Sequence, residues 1–413
     1  MHGLAASAFY VARQPIFEIG RGLIGYELLY RDSPTASSAE GSESHVMSAD
    51  VIVGGLLGIG LDRMVGDGLA FVNFARKNML DETWSLFEPT AVVIELLENV
   101  ECDAEMVAAC KTLVRSGYAL ALDDYVDDPR VQPLLDLASI VKIDVLGRPR
   151  QEIEKLARRL KPRGVRLLAE RVETAQMRDD CLAMGFELFQ GYLFSRPETL
   201  AKRDIKPAQL TLMRLMNLLR DPKVRDTELD DAFRADLGLT YKLLRMVNAA
   251  AVGGRGIESI GHAIRLVGRD TLHRWLALIL VSTLAASSGV EREVALTAIA
   301  RARMCEIIAA KSMHRRQADS AFIVGLFSLL DLLLEAPMER IVSQLELSDS
   351  VAEALVGRDG PLAAPLRLVE AYEGAQWDTA RSLAADASLE EETVPGMYLD
   401  ALSWANEAVG ANG

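Results

Sequence analysis

The chain has 413 residues, enough for two or three domains that each bury a core. Half of the residues are hydrophobic, a quarter are charged, and the formal net charge is −14. Such a surface repels duplex nucleic acid and anionic membrane, so an anionic ligand needs a locally positive site made by metal or clustered arginines. The four cysteines, Cys102, Cys110, Cys181 and Cys305, show no CxxC spacing, the habit of a reduced, cytoplasmic protein. No basic segment followed by an apolar core opens the sequence. The most apolar run, Trp275 to Ala286, is too short for a bilayer and reads as a buried helix.

From Phe9 to Ser195, short apolar runs alternate with amphipathic stretches. The runs are YVARQPIFE, LIGYELLYR, LAFVNF, AVVIELLE, YALALDD, SIVKID, VRLLAE and LFQGYLF. Helical patterns such as DAEMVAACKTLVRSG and RQEIEKLARRLKPRG lie between them. Near-continuous apolar strands separated by helices predict a mostly parallel sheet, and about eight strands in this length fit an α/β barrel of the TIM type. The short turn IGRG predicts a hairpin between the first two strands, which makes the barrel irregular. The polar stretch ETLAKRDIKPAQ reads as a linker. Beyond Leu210 the strand signal disappears, and apolar residues recur at three- and four-residue spacing. The expected division is a barrel over 9–197, a linker over 198–206 and an all-α domain over 207–407.

In a parallel barrel the chemistry sits at the C-terminal ends of the strands. Polar residues stand at or near those ends: Glu27, Asn73, Glu95 with Glu98, Asp123 and Asp124, Lys142 with Asp144, Glu170 with Glu173, and Gln190 before Gly191. Converging carboxylates repel each other without a cation, and oxygen donors suit Mg²⁺ or Mn²⁺. Two such metals can activate water and clamp a phosphodiester. Asp123 and Asp124 are neighbours, so both can face one site only if the strand ends and turns there.

These motifs resemble the EAL family of cyclic di-GMP phosphodiesterases. GYELLYR is similar to the signature segment, and FVNF, VIELLE, LALDDY, VKID, LAERVET and FQGY follow in the family's order. The resemblance implies metal ligands at Glu27, Asn73, Glu95, Asp123, Asp124 and Glu170. It makes Lys142 the residue that assists the nucleophilic water, with Glu27 and Gln190 beside the reaction. It sets Arg31, Gln14, Gln190 and Gly191 against the dinucleotide, and Glu173 as support for the loop after the Asp pair. Two departures stand out. Leu28 replaces the signature alanine and is expected to narrow the pocket. The loop after the pair reads Tyr125-Val126-Asp127-Asp128-Pro129-Arg130 in place of a Phe-Gly-Thr-Gly-Tyr-Ser-Ser type sequence. That loop belongs to the family's dimer region, so homodimerisation is an open expectation.

The second half resembles the HDOD module, a helical relative of HD phosphohydrolases. The segments KLLRMVNAAAVGGRGIESIGHAIRLVGRDTL, RARMCEIIA and FIVGLFSLLDLLL carry that resemblance. None of His262, His273 and His314 is followed by aspartate, so no His-Asp metal pair is expected, and Asn248 reads as a helix-terminal group. The two halves together resemble a two-domain family of bacterial signalling proteins. Their expected function is cyclic di-GMP signalling through a degenerate barrel that binds the dinucleotide or serves as a sensor or scaffold. The HDOD surface is the expected output towards an unknown protein partner. The alternative is an active Mg²⁺- or Mn²⁺-dependent phosphodiesterase yielding pGpG.

Overall fold

The computed structural model describes residues 10–19, 22–31, 61–97, 100–191, 207–234, 239, 266, 268–284, 289–313, 315–334, 336–345 and 347–410. Glu98, Asn248, His262, His314, the linker 198–206 and the side chain of Arg31 lie outside the described residues.

Eight strands close into a barrel in the order β1 to β8. They are β1 (Tyr10–Glu18), β2 (Gly22–Arg31), β3 (Leu69–Phe74), β4 (Val92–Leu96), β5 (Ala119–Leu122), β6 (Ile140–Asp144), β7 (Arg166–Glu170) and β8 (Leu188–Phe189). Strand β1 runs antiparallel to both β2 and β8, while the remaining pairs are parallel. The apolar runs follow from burial on both faces. Ile16, Phe71, Val93, Ala121, Ile140, Leu168 and Leu188 pack inside the barrel. Gly25 adds no side chain to that layer, because the Leu69 carbonyl oxygen would lie 2.2 Å from a Cβ there. Residues of opposite parity, such as Val72, Phe74, Ile94 and Ile143, form the outer core.

Helices α1 (Leu61–Val65), α2 (Arg76–Leu80), α3 (Ala104–Arg115), α4 (Gln132–Leu135), α5 (Arg150–Leu160) and α6 (Ala175–Met184) connect the strands. Asp103 starts α3 by accepting the Met106 N–H at 2.8 Å, and Thr174 starts α6 by accepting the Met177 N–H at 3.1 Å. Helix α5 buries Ile153, Ala157 and Leu160 at the helical repeat.

Among the described residues after 207 there are helices and no strands: α7 (Pro207–Arg220), α8 (Asp226–Arg234), α9 (Arg269–Leu284), α10 (Gly289–Ser312), α11 (Arg315–Phe327), α12 (Leu330–Leu334), α13 (Met338–Gln344), α14 (Asp349–Val356), α15 (Ala363–Glu373), α16 (Trp377–Asp386) and α17 (Val394–Gly410). The chain forms two compact units. One comprises residues 1–198, 288–293 and 368–413, the other 199–287 and 294–367. The sequence pattern assigns 207–407 to one helical domain, yet the segments 288–293 and 368–413 group with the barrel. Helical periodicity reports an apolar face and not the surface that covers it.

In the barrel unit, Trp377 packs edge-on against Tyr372 and Tyr10, with centroids 5.2 and 6.2 Å away. Outside β1 and β2, the Tyr26 hydroxyl donates to Glu293 Oε2 at 2.5 Å. The Arg13 guanidinium stacks over the Tyr26 ring at 4.2 Å and lies 3.6 Å from Glu293 Oε1. In the second unit, Arg274 of α9 donates to Glu306 at 2.6 Å and Asp319 at 2.7 Å, and covers the Phe322 ring at 4.2 Å. No helix among the described residues is long and apolar enough to cross a membrane.

Candidate metal centre

Two residues beyond each apolar position inside the barrel, the chain carries a polar side chain. Phe71, Val93, Ala121, Ile140, Leu168 and Leu188 are followed at that interval by Asn73, Glu95, Asp123, Lys142, Glu170 and Gln190. On β2, Glu27 pairs in register with Gln14 of antiparallel β1, which lies two residues before Ile16. Because side chains alternate along a strand, each of the eight strands, or the residue just past its end, offers a polar group to the same end of the barrel interior.

Lys142 sits at the middle of this level and is fully buried. Its ammonium lies 2.9 Å from Asp123 Oδ1, 3.0 Å from Glu170 Oε1, and 3.2 Å from both Glu27 Oε1 and Glu95 Oε1. Asn73 Nδ2 donates to Glu27 Oε1 at 3.2 Å. Gln190 Nε2 donates to Glu27 Oε2 at 2.7 Å and to Gln14 Oε1 at 2.8 Å.

One ammonium faces four carboxylates, so negative charge is in excess. Burial, reinforced by the neighbouring carboxylates against the pull of Lys142, holds Glu95 well above the usual carboxylate range and pushes Glu170 up to about 8. Burial also raises Asp123. Burial disfavours ionised Glu27 too, but Lys142, Gln190 and Asn73 outweigh it and hold that carboxyl below its ordinary value. The Lys142 ammonium loses solvation on burial, yet the surrounding carboxylates keep it charged.

The donor chemistry fits a hard divalent cation. Among the described residues Asn73 Oδ1, Glu95 Oε2 and Gln190 Oε1 are buried without a hydrogen-bond partner, and every acceptor in the set is oxygen. No group of three or more His, Cys, Asp or Glu among the described residues has the arrangement of a ready metal site, because the carboxylates face the ammonium.

The Asp pair is divided. Strand β5 ends at Leu122, and Asp123 Oδ1 accepts the Asp124 N–H at 3.0 Å. Asp124 then takes a left-handed backbone, φ +39°, and its half-exposed carboxylate pairs with Arg148 at 3.3 Å. Tyr125 donates its N–H to the Lys142 carbonyl at 3.0 Å, and Asp127 pairs with Arg159 of α5, which ties down the loop that lacks the family's glycines. Glu173 is exposed and makes no hydrogen bond or ion pair among the described residues. Gly191 has φ +140°, and a Cβ there would meet the Val172 nitrogen at 2.2 Å. Leu28 does not narrow the interior. It follows inward-facing Glu27, so it faces outward and is fully buried in the outer core.

Sequence reasoning missed two rim arginines. Arg148 follows the turn after β6, and Arg171 follows Glu170 with φ +53° and pairs with buried Asp144. No spacing marks either residue; only the folded strand ends bring them to carboxylates. His273 is buried in α9, and burial with nearby Arg220 pushes it down to about 4, leaving it neutral at ordinary pH.

A closed barrel with an acidic, lysine-centred interior level is the class this unit defines. The EAL domain matches residues 75–197 and the HDOD domain residues 206–345. The uncharacterized protein YuxH of Bacillus subtilis is 32% identical over 411 residues, spanning 97% of this chain and 99% of YuxH. The cyclic di-GMP phosphodiesterase CdgJ of Vibrio cholerae is 32% identical over 401 residues, spanning 96% of this chain and 92% of CdgJ. Among solved structures, the Klebsiella pneumoniae BlrP1 calcium/cyclic di-GMP complex is similar over 48% of this chain and 57% of that chain, with 23% identity and a TM-score of 0.38. The chain belongs to the two-domain family in which an EAL barrel is followed by an HDOD domain. Gln14, Glu27, Arg31 and Asn73 precede the segment that the EAL domain matches, and barrel closure brings Gln14, Glu27 and Asn73 to the same level as the rest.

Proposed function

We propose that this chain acts in cyclic di-GMP signalling, with a barrel that binds the dinucleotide in a divalent-metal-dependent manner and an HDOD domain that addresses a protein partner. The observation that carries this reading is the convergence of Glu27, Glu95, Asp123 and Glu170 on Lys142, beside buried oxygens that lack donors. A surface of net charge −14 holds a dianionic ligand only where cations offset the carboxylates. Mg²⁺ or Mn²⁺ on Glu27, Asn73, Glu95, Asp123, Asp124 and Glu170 would supply that charge and, when bound, polarise a phosphodiester and acidify water. Lys142 holds the carboxylates together before loading. Asn73 and Gln190 fix the orientation of Glu27, and Gln190 also positions Gln14. Arg31 and Gly191 belong with Gln14 and Gln190 on the nucleotide side.

Hydrolysis to pGpG is the second reading. Lys142, Glu27 and Gln190, the groups assigned to the reacting water, occupy one cluster, and a relative of nearly full length is named a phosphodiesterase. The commitment of Asp124 to Arg148 weighs towards binding. Calorimetry with cyclic di-GMP in Ca²⁺ buffer, run beside a Mg²⁺ or Mn²⁺ turnover assay, separates them. Binding without product supports the receptor; linear product that disappears in Glu27→Ala establishes the enzyme. Neither heat nor product leaves the barrel a scaffold.

A further inference from the structure

Asp123 and Asp124 are consecutive, yet each serves a different cation. Asp123 lies 2.9 Å from the Lys142 ammonium, while the left-handed turn at Asp124 delivers its carboxylate to Arg148 Nη2 at 3.3 Å. Arg148 stands after the turn that follows β6, where Gly147 has φ +73°, and its side chain is three-quarters buried. A divalent cation that recruits Asp124 competes with this guanidinium for its negative charge.

We propose that Arg148 is a positioning residue, an internal counter-cation that reserves Asp124 and thereby weakens divalent-metal uptake at the Asp pair. This inference rests on the metal-dependent reading of the same site. A partly exposed arginine–carboxylate pair contributes up to about 1 kcal/mol, which corresponds to about a five-fold change in affinity. Titration of the full-length chain with Mn²⁺ alone, followed by calorimetry, tests it. Arg148→Ala binds the weaker Mn²⁺ equivalent about five-fold tighter, and Arg148→Lys, which keeps the charge, stays near wild type. Arg148→Ala combined with Asp124→Asn loses the gain, which a merely structural role of the arginine would not produce. Unchanged or weaker Mn²⁺ binding in Arg148→Ala, with uptake still sensitive to Asp123→Asn, overturns the role of Arg148 alone. Mn²⁺ uptake that is absent from both wild type and Arg148→Ala, or indifferent to Asp123→Asn, removes the metal reading and this inference together.

Discussion

The Lys142 ammonium and the Glu170 carboxylate lie 3.0 Å apart inside the barrel, joined from neighbouring parallel strands. Lys142 pairs in register with Leu168, so Glu170 sits one inward step above it. Three further carboxylates share the same ammonium, and that imbalance governs how the unit responds to charge removal, pH and metal.

Replacing Lys142 by Met leaves the buried carboxylates without their common cation. Loss of one partner of a buried ion pair costs roughly 3–5 kcal/mol. In metal-free buffer at pH 8 the variant should unfold at correspondingly lower denaturant, with a smaller loss at pH 5.5, where the carboxyls take up protons. Equal stability of variant and wild type at pH 8 would contradict the arrangement.

Glu95→Gln should separate stability from metal binding. Glu95 is completely buried and its pKa is raised by burial, so its charge is a burden on the metal-free fold. The variant is expected to melt at or above the wild-type temperature in EDTA and to bind Mn²⁺ at least about tenfold more weakly, a difference of about 1.4 kcal/mol. Undiminished Mn²⁺ affinity would remove Glu95 from the centre.

The pH dependence has a definite sign. Glu170 titrates near 8 in the folded chain and near 4.5 when unfolded, so between these values the folded state holds the extra proton. Its contribution to stability is complete below pH 4.5 and is lost as pH rises through about 8. Metal reverses the trend by displacing the proton, so Mg²⁺ affinity should climb by about tenfold per pH unit between about pH 6 and 8 for one proton released. Melting curves with EDTA and Mg²⁺ titrations across that window measure both slopes; an affinity flat in pH would speak against Glu170 as a ligand.

Gly191→Ala introduces a Cβ 2.2 Å from the Val172 nitrogen at a backbone angle that L-residues avoid. A loss of about 2–4 kcal/mol is expected, in the range of backbone-strain substitutions. Displacing adjacent Gln190 should also loosen its bonds to Glu27 and Gln14. Chemical denaturation beside cyclic di-GMP calorimetry reads the two effects, and a variant that matches wild type in both would mean that the backbone yields freely there.

The sequence by itself determined the barrel and most of its acidic level. Period-two alternation places Asn73, Glu95, Lys142 and Glu170 on the face opposite the outer core, because side-chain direction in a strand is a local property. The tertiary structure decided what depends on partners distant in the chain. It divided Asp123 from Asp124 at the turn where β5 ends. It paired Arg148 and Arg171 with carboxylates, and it joined Arg13 to Glu293 across a long stretch of chain. It also grouped residues 368–413 with the barrel. Local pattern fixes the face a side chain takes; closure of the chain fixes the charge it meets, since electrostatic energy depends on distance in space and on burial.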